Sequence, residues 1–466
     1  MRGASILTES SAMVRAPLFK VFPPVRVSFS IIATFTRTRR DMALIARNIL
    51  GIAVLLLIAF IFSTNRRAIR LRTVISALLA QIGIGAFILF VPVGKSILSG
   101  AASGVNHVLG YGNAGIEFLF GGLVQAKMFQ VFGDGGFVFA VRVLPAIIFV
   151  TALISVLYYI GVMRWIVIVL GTLFQKLLGV SKLESFSAVT TIFLGQSEMP
   201  AVVKPFTRDM TGAELFAVMS SGMAAVAGSV LAGYAGLGVR VEYLLAASFM
   251  AVPGGLLFAK IIHPSTEPSR VHLDNLNFDE KRPANVIEAA SSGATVGLKI
   301  AVMVGAMLIA FVGLIALLNG IVGGIGGWFG HPQLSMQSVL GMVFAPLAYL
   351  IGVPWNEAAI AGNFLGQKVI LNEFVAYASL SPYLKDAASV TAAGLQALDP
   401  RTIAILSFAL CGFANFSSIA VLTGGFSAVA PERRAEVARY GLRVVLAATL
   451  SNLMSATIAG MFITLN

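Results

Sequence analysis

The side chains of this chain that could do chemistry are few, and they lie where a membrane protein has least use for them. Gln196, Ser197 and Glu198 sit in Gly195-Gln196-Ser197-Glu198-Met199-Pro200, inside an otherwise apolar stretch from Ser187 to Val203. Asn372 with Glu373, and Asn415 with Ser418, occupy further apolar stretches. A carboxylate, carboxamide and hydroxyl at mid-membrane mark a transport or ion site. Together they fix a ligand rich in both donors and acceptors. No fixed positive charge lies inside the set, so a neutral, polyhydroxylated or heterocyclic solute fits better than a phosphorylated or carboxylated one. Phe413 adds a face on which a ring could stack, although core packing is the preferred role for it alone. For Asn415 a helix–helix hydrogen bond is a comparable role.

These groups do not make an enzyme. Nucleophilic catalysis needs a nucleophile with its base, and a metal centre needs clustered ligands. His107, His263, His272 and His331 are scattered, no Ser/His pairing falls in the apolar stretches, and Cys411 is the only cysteine. Neither cofactor nor metal is expected. Of 466 residues, 58% are hydrophobic and 11% charged, with a mean hydropathy of +0.90; soluble domains carry about 25% charged residues. The expectation is an all-α polytopic membrane protein with about eight transmembrane helices. The net charge of +13 gathers in short clusters between apolar runs, as the positive-inside bias produces, which argues against nucleic acid as a partner.

The elements that must position the polar set follow in order. Residues 1–41, with Arg15, Lys20, Arg26, Arg37, Arg39 and Arg40, are read as sequence upstream of a natural start at Met42, in preference to a targeting peptide. The reason is orientation: span Ile45–Phe62 precedes Arg66, Arg67, Arg70 and Arg72, a loop that belongs in the cytoplasm, and basic residues ahead of the span oppose that arrangement. Residues 42–183 continue with span Val74–Leu98, a Gly-rich interfacial stretch Ser99–Lys127, span Phe137–Val162 and an amphipathic interfacial helix over 164–183.

Residues 184–263 hold the first hairpin repeat. A crossing takes roughly 20 residues, and the polar tip has only about ten apolar residues on either side, so each arm reaches the midplane and turns back. Such a tip must face protein or water. Spans Glu214–Leu237 and Tyr243–Ile262 follow. Residues 264–335 comprise the hydrophilic linker Pro264–Pro283 and a long, tilted apolar helix, Asn285–Trp328. Residues 336–466 repeat the plan: an irregular segment Met336–Tyr383 with Pro346, Pro354, Lys368, Asn372 and Glu373, then spans Thr402–Ala428 and Ala435–Leu465. Paired broken segments at corresponding positions point to a transporter site at a repeat interface. A channel for small polar solutes would carry midplane polar groups too, but hairpins in duplicate favour alternating access.

Gly195-Gln196-Ser197-Glu198, Asn372-Glu373-Phe374-Val375-Ala376-Tyr377 and Cys411-Gly412-Phe413-Ala414-Asn415-Phe416-Ser417-Ser418-Ile419 resemble the concentrative nucleoside transporters. Ala227-Gly228-Ser229-Val230-Leu231-Ala232-Gly233-Tyr234 and Pro431-Glu432-Arg433-Arg434 match as well, and the resemblance runs from about Met42 to the C-terminus. It implies eight spans, two re-entrant hairpins, an inverted repeat, an interfacial helix, partly unwound fourth and seventh spans, and a homotrimer held by the long sixth span. It implies an elevator-like nucleoside:cation symporter, expected here in a bacterial inner membrane. Gln196, Ser197 and Glu198 would contact the base with Val230 beside it. Glu373, Asn415 and Ser418 would hold the ribose hydroxyls with Phe413 nearby; a carboxylate suits a vicinal diol because it accepts two hydrogen bonds. Sodium-coupled relatives carry Asn five positions before the hairpin Gln, and Ser or Thr in the fourth span; here those positions read Thr191 and Ala225. A hard cation wants several oxygens, so the departure favours a proton over sodium as the coupling ion. Glu198 is the first choice of carrier and Glu373 the alternative, while either acid could instead stay charged and only bind substrate.

Overall fold

Capping boxes, prolines and glycines cut the apolar chain into helices. A computed structural model describes residues 29–132, 136–271 and 283–464, with side chains from Met42 onward. Among the described residues there is no strand, and residues 43–466 form one compact unit. The tail expected to precede a natural start thus falls largely outside the described residues, as does 272–282 of the hydrophilic linker.

Helix α1 (Phe29–Ile61) carries the first apolar crossing, Met42–Ile61, and α2 (Leu71–Leu89) the second. The second span was expected to run to Leu98. Instead it ends at Leu89, and Pro92 opens a separate helix, α3 (Pro92–Phe120), through most of the stretch assigned to the interface. The cause is local: proline has no N–H for an ongoing helix but suits a first turn.

Next come α4 (Leu144–Tyr159) and α5 (Val162–Leu178), the expected amphipathic helix. Gly161 and Gly179 take positive φ at its two ends, a conformation that side chains resist. Trp165, Val169, Leu173 and Leu177 lie exposed on one face, whereas Met163, Val167 and Phe174 are buried on the other.

The first hairpin is α6 (Lys182–Thr190) and α7 (Met199–Val203), joined by the non-helical residues 191–198. The fourth span is broken into α8 (Gly212–Ala224) and α9 (Gly228–Gly236), and α10 (Val241–Ile262) follows. Ser181 with Glu184 and Thr211 with Glu214 form capping boxes that start α6 and α8. Glu184 also pairs with the buried Lys260 of α10, anchoring the hairpin base.

Helix α11 (Val286–Trp328) is continuous over 43 residues, as its apolar length suggested. The irregular segment after it resolves into α12 (Met336–Leu350), bent by 115° from α13 (Trp355–Ile370), and then α14 (Glu373–Leu380). The second hairpin is therefore α13 and α14, with Leu371 and Asn372 at its tip. Ser379 donates to Gln367 Oε1 across the two arms at 2.8 Å. The seventh span is broken into α15 (Pro400–Leu410) and α16 (Ser417–Val429), and α17 (Arg434–Thr464) closes the chain.

The order crossing, helix, hairpin, broken span, span thus occurs twice, from α4 to α10 and from α11 to α17. The first unit contains three crossings, at 139–159, 212–236 and 241–262. An odd number of crossings would place the start of the second unit on the opposite face, the arrangement expected of an inverted repeat. Their leading helices α4 and α11 lie backbone to backbone. A Cβ on Gly293 would stand 2.8 Å from Ala152 Cα, and one on Gly297 2.7 Å from Ile148 Cα. This four-residue glycine spacing lets helices approach where lipid offers no hydrophobic drive.

Gly297→Val is expected to force α4 from α11 and destabilise the protein by about 1–3 kcal/mol, the usual cost of overpacking. The thermal midpoint of purified protein in detergent reads this directly, and an unchanged midpoint would show that the crossing tolerates separation.

Candidate functional site

The polar set comes together because helices break where the two units meet. Residues 191–198 of the first hairpin, 371–372 of the second, and the interruptions 225–227 and 411–416 in the fourth and seventh spans all contribute. Broken helices expose amides and carbonyls, and the site residues satisfy them. Asn372 Oδ1 accepts from Val375 N at 2.9 Å and so caps α14. Glu373 is then the first residue of that helix, where the positive end of the dipole favours a carboxylate. Asn415 Oδ1 accepts from Ser418 N at 2.9 Å and from Ser417 Oγ at 2.7 Å, tying down the start of α16.

The remaining atoms of these side chains join the elements to one another. Asn415 Nδ2 donates to Glu373 Oε2 at 2.8 Å, linking the seventh span to the second hairpin. Gln196 Nε2 donates to Ser418 Oγ at 2.7 Å, linking the first hairpin to the same span. Gln196 Oε1 is buried with no protein partner. Glu198 turns back on its own loop, Oε2 accepting from Gly195 N at 3.1 Å.

A cleft opens between these groups and α11. Gln196, Ser197, Glu198, Val230, Glu373 and Phe413 line it, with Ile300, Met303, Val304 and Met307 as the opposite wall. No Lys, Arg or His is among its lining residues. Asn415 and Ser418 do not line it; they are buried and act through their bonds to Glu373 and Gln196. Glu198 also lines a second cavity of about 340 Å³ between the hairpin, α4, α5 and α11, with Tyr158, Arg164, Ser229 and Ser292. Tyr158 Oη is buried there without a protein partner.

Thr191 and Ala225 lie outside the cleft. The Thr191 hydroxyl donates to Ala188 O of its own helix at 2.7 Å, and Ala225 stands at the break in the fourth span without a side-chain oxygen. The sequence places Lys368 in the irregular segment without a role and does not single out Asn452; both are buried at the same helix breaks. The signal was available, since Lys368 follows Gln367 and Asn452 stands among Thr449, Ser451, Ser455 and Thr457 in otherwise apolar stretches.

Known proteins resemble this arrangement over about nine-tenths of the chain. Family models described as "Na+ dependent nucleoside transporter N-terminus", "Nucleoside recognition" and "Na+ dependent nucleoside transporter C-terminus" match residues 50–123, 140–240 and 243–460. NupX of Escherichia coli (strain K12) is 56% identical over 90% of this chain and 99% of its own. Nucleoside permease NupC of Helicobacter pylori (strain 26695) is 50% identical over 90% and 98%. The solved structure of CNTnw in an inward-facing substrate-bound state is similar with a TM-score of 0.86 and 56% identity, over 91% of this chain and 99% of that one.

Asn415→Ala removes the partners of a buried carboxylate oxygen and of the Ser418 amide together. The expected loss is about 2 kcal/mol or more, seen as a lower thermal midpoint without added ligand. A midpoint equal to that of the parent would mean that these bonds do not hold the hairpin to the span.

Proposed function

The chain belongs to the concentrative nucleoside transporter family, and from that premise we propose that this nucleoside transporter is a symporter that imports nucleosides with protons by elevator-type alternating access. The observation that carries the substrate reading is the cleft itself. It joins hydrogen-bonding side chains of both hairpins to the aromatic ring of Phe413, with no cation to select an anionic group. In this reading Gln196, Ser197 and Glu198 meet the base beside Val230, and Glu373, oriented by Asn415 and Ser418, takes the ribose hydroxyls. The polar residues of the cleft come from hairpins and broken spans, whereas α11 contributes Ile300, Met303, Val304 and Met307. An apolar wall makes no directional bond, so substrate held by the hairpins can slide past it. This supports the elevator.

Two observations support the proton. The two cation positions offer at most one side-chain oxygen, because Ala225 has none and only the lone pairs of the Thr191 hydroxyl remain once its proton is donated to Ala188 O. Glu198 alone among the cleft carboxylates also lines the second cavity, so it can exchange a proton with a compartment other than the substrate path. Sodium remains the second reading, because the matching family models carry sodium in their descriptions. Ile309, Leu317 and Trp328 leave an apolar face of α11 exposed in the single chain, which suits a homotrimer packed around this helix in a bacterial inner membrane.

Radiolabelled uridine uptake into proteoliposomes, with a pH gradient or a sodium gradient imposed separately, tests this. Accumulation is expected with acid outside and no sodium, and Glu198→Gln should lose the response to the pH gradient. Accumulation with sodium alone would assign coupling to Thr191 and backbone oxygens. Equilibration without accumulation under either gradient would overturn coupled transport and leave a channel or an uncoupled carrier.

A further inference from the structure

Lys368 is a cation buried within the membrane to which the nucleoside pathway gives no task. It lies on α13 with 2% of its surface exposed, and Asn452 on α17 is equally buried. An ionisable side chain at such depth is costly and requires definite partners. Lys368 Nζ donates to Ala409 O at 2.7 Å and to Asn452 Oδ1 at 2.6 Å. Asn452 Nδ2 donates in turn to Ala224 O at 2.7 Å and to Cys411 O at 3.0 Å.

The carbonyls at the far ends of these bonds share one character. Ala224 is the last residue of α8, Ala409 lies in the last turn of α15, and Cys411 is its C-cap. Both helices are the leading halves of broken spans. Carbonyls at such ends have no intrahelical partner and carry the negative end of the dipole, which a cation stabilises. The ammonium and the carboxamide therefore gather two helix C-termini on one bridge. The fit is close: a Cβ on Gly412 would stand 2.3 Å from Asn452 Oδ1. Tyr377 of α14 adds a further tie, its hydroxyl donating to Ser407 O of α15 at 2.7 Å.

We propose that Lys368 and Asn452 are positioning residues for transport: a staple that holds both helix breaks against the second hairpin and so sets the Glu373–Asn415 pair. The chain connectivity makes this direct. Lys368 precedes Glu373 by one hairpin tip, and Asn415 lies in the same interruption that Cys411 opens. The staple neither lines the cleft nor touches substrate. Its role rests on the reading that Glu373 and Asn415 hold the nucleoside.

Hydrogen–deuterium exchange of the purified full chain, together with uridine affinity by calorimetry, tests the staple on Lys368→Met and Asn452→Ser. Backbone amides of 225–228 and 411–416 should exchange faster together, though far apart in sequence, while the rest of the protein is unchanged. Uridine affinity should fall roughly ten-fold, as for loss of one charge-assisted hydrogen bond. If Lys368→Met cannot be purified, Asn452→Ser carries the test, because it removes the amide bridge and leaves Lys368 its bond to Ala409. Unchanged exchange at either break overturns the staple. Faster exchange with parental affinity overturns the positioning role. Glu373→Gln, measured alongside, separates the two ideas: if it binds uridine as the parent does, the ribose reading has failed, and the exchange data still judge the staple.

Discussion

A helix interrupted inside hydrocarbon leaves amides and carbonyls that water cannot reach, and the centre of this protein is organised by how those groups are satisfied. The end of α15 shows the accounting in full. Ser407 O accepts from the Tyr377 hydroxyl, Phe408 O from Cys411 N, Ala409 O from Lys368 and Leu410 O from Gly412 N. At the facing starts, Asn372 caps α14 and Asn415 caps α16. No orphan carbonyl of that last turn is left over. The backbone breaks therefore cost little, and their side-chain partners are fixed in place by the same bonds.

The consequence is that structural roles and the proposed recognition roles fall on the same residues. Asn415 caps a helix with its oxygen and orients a carboxylate with its nitrogen; Ser418 is capped at its amide and receives Gln196 at its hydroxyl. In the proposed binding mode a nucleoside entering the cleft exchanges hydrogen bonds with groups already held in register, each exchange being worth only about 1 kcal/mol net. Selectivity then comes from matching the whole pattern. The soft apolar wall of Met303 and Met307 fills space without imposing direction. In the proposed cycle this difference is what lets hairpins and substrate travel together along α11.

Much of this was legible in the sequence because membrane insertion leaves few options. A polar cluster such as Gln196 to Glu198, with arms too short to cross, admits little besides a re-entrant hairpin. The long α11 and the amphipathic α5 were equally plain from apolar length and periodicity. The end of the second span was not, because Val91, Val93, Ile97 and Leu98 continue its apolar character past Pro92, Gly94 and Lys95, which mark the stop. The composition of the second hairpin was obscured for a related reason: two bends, at 351–354 and 371–372, fall within one irregular segment. Lys368 and Asn452 received no role because their neighbours in sequence are not their partners in the fold. Their meaning arises from the convergence of α8, α13, α15 and α17, which no local pattern encodes.

The central claim is that Glu373, oriented by Asn415, reads the ribose of a nucleoside. Calorimetric titration of the purified protein with uridine and with a ribose-deoxygenated uridine, repeated for Glu373→Gln, tests it most directly. The parent should favour uridine by roughly ten-fold or more, as for loss of a hydrogen bond to a charged group, and Glu373→Gln should lose most of that preference. A preference that survives the substitution intact would place ribose recognition elsewhere and contradict the account.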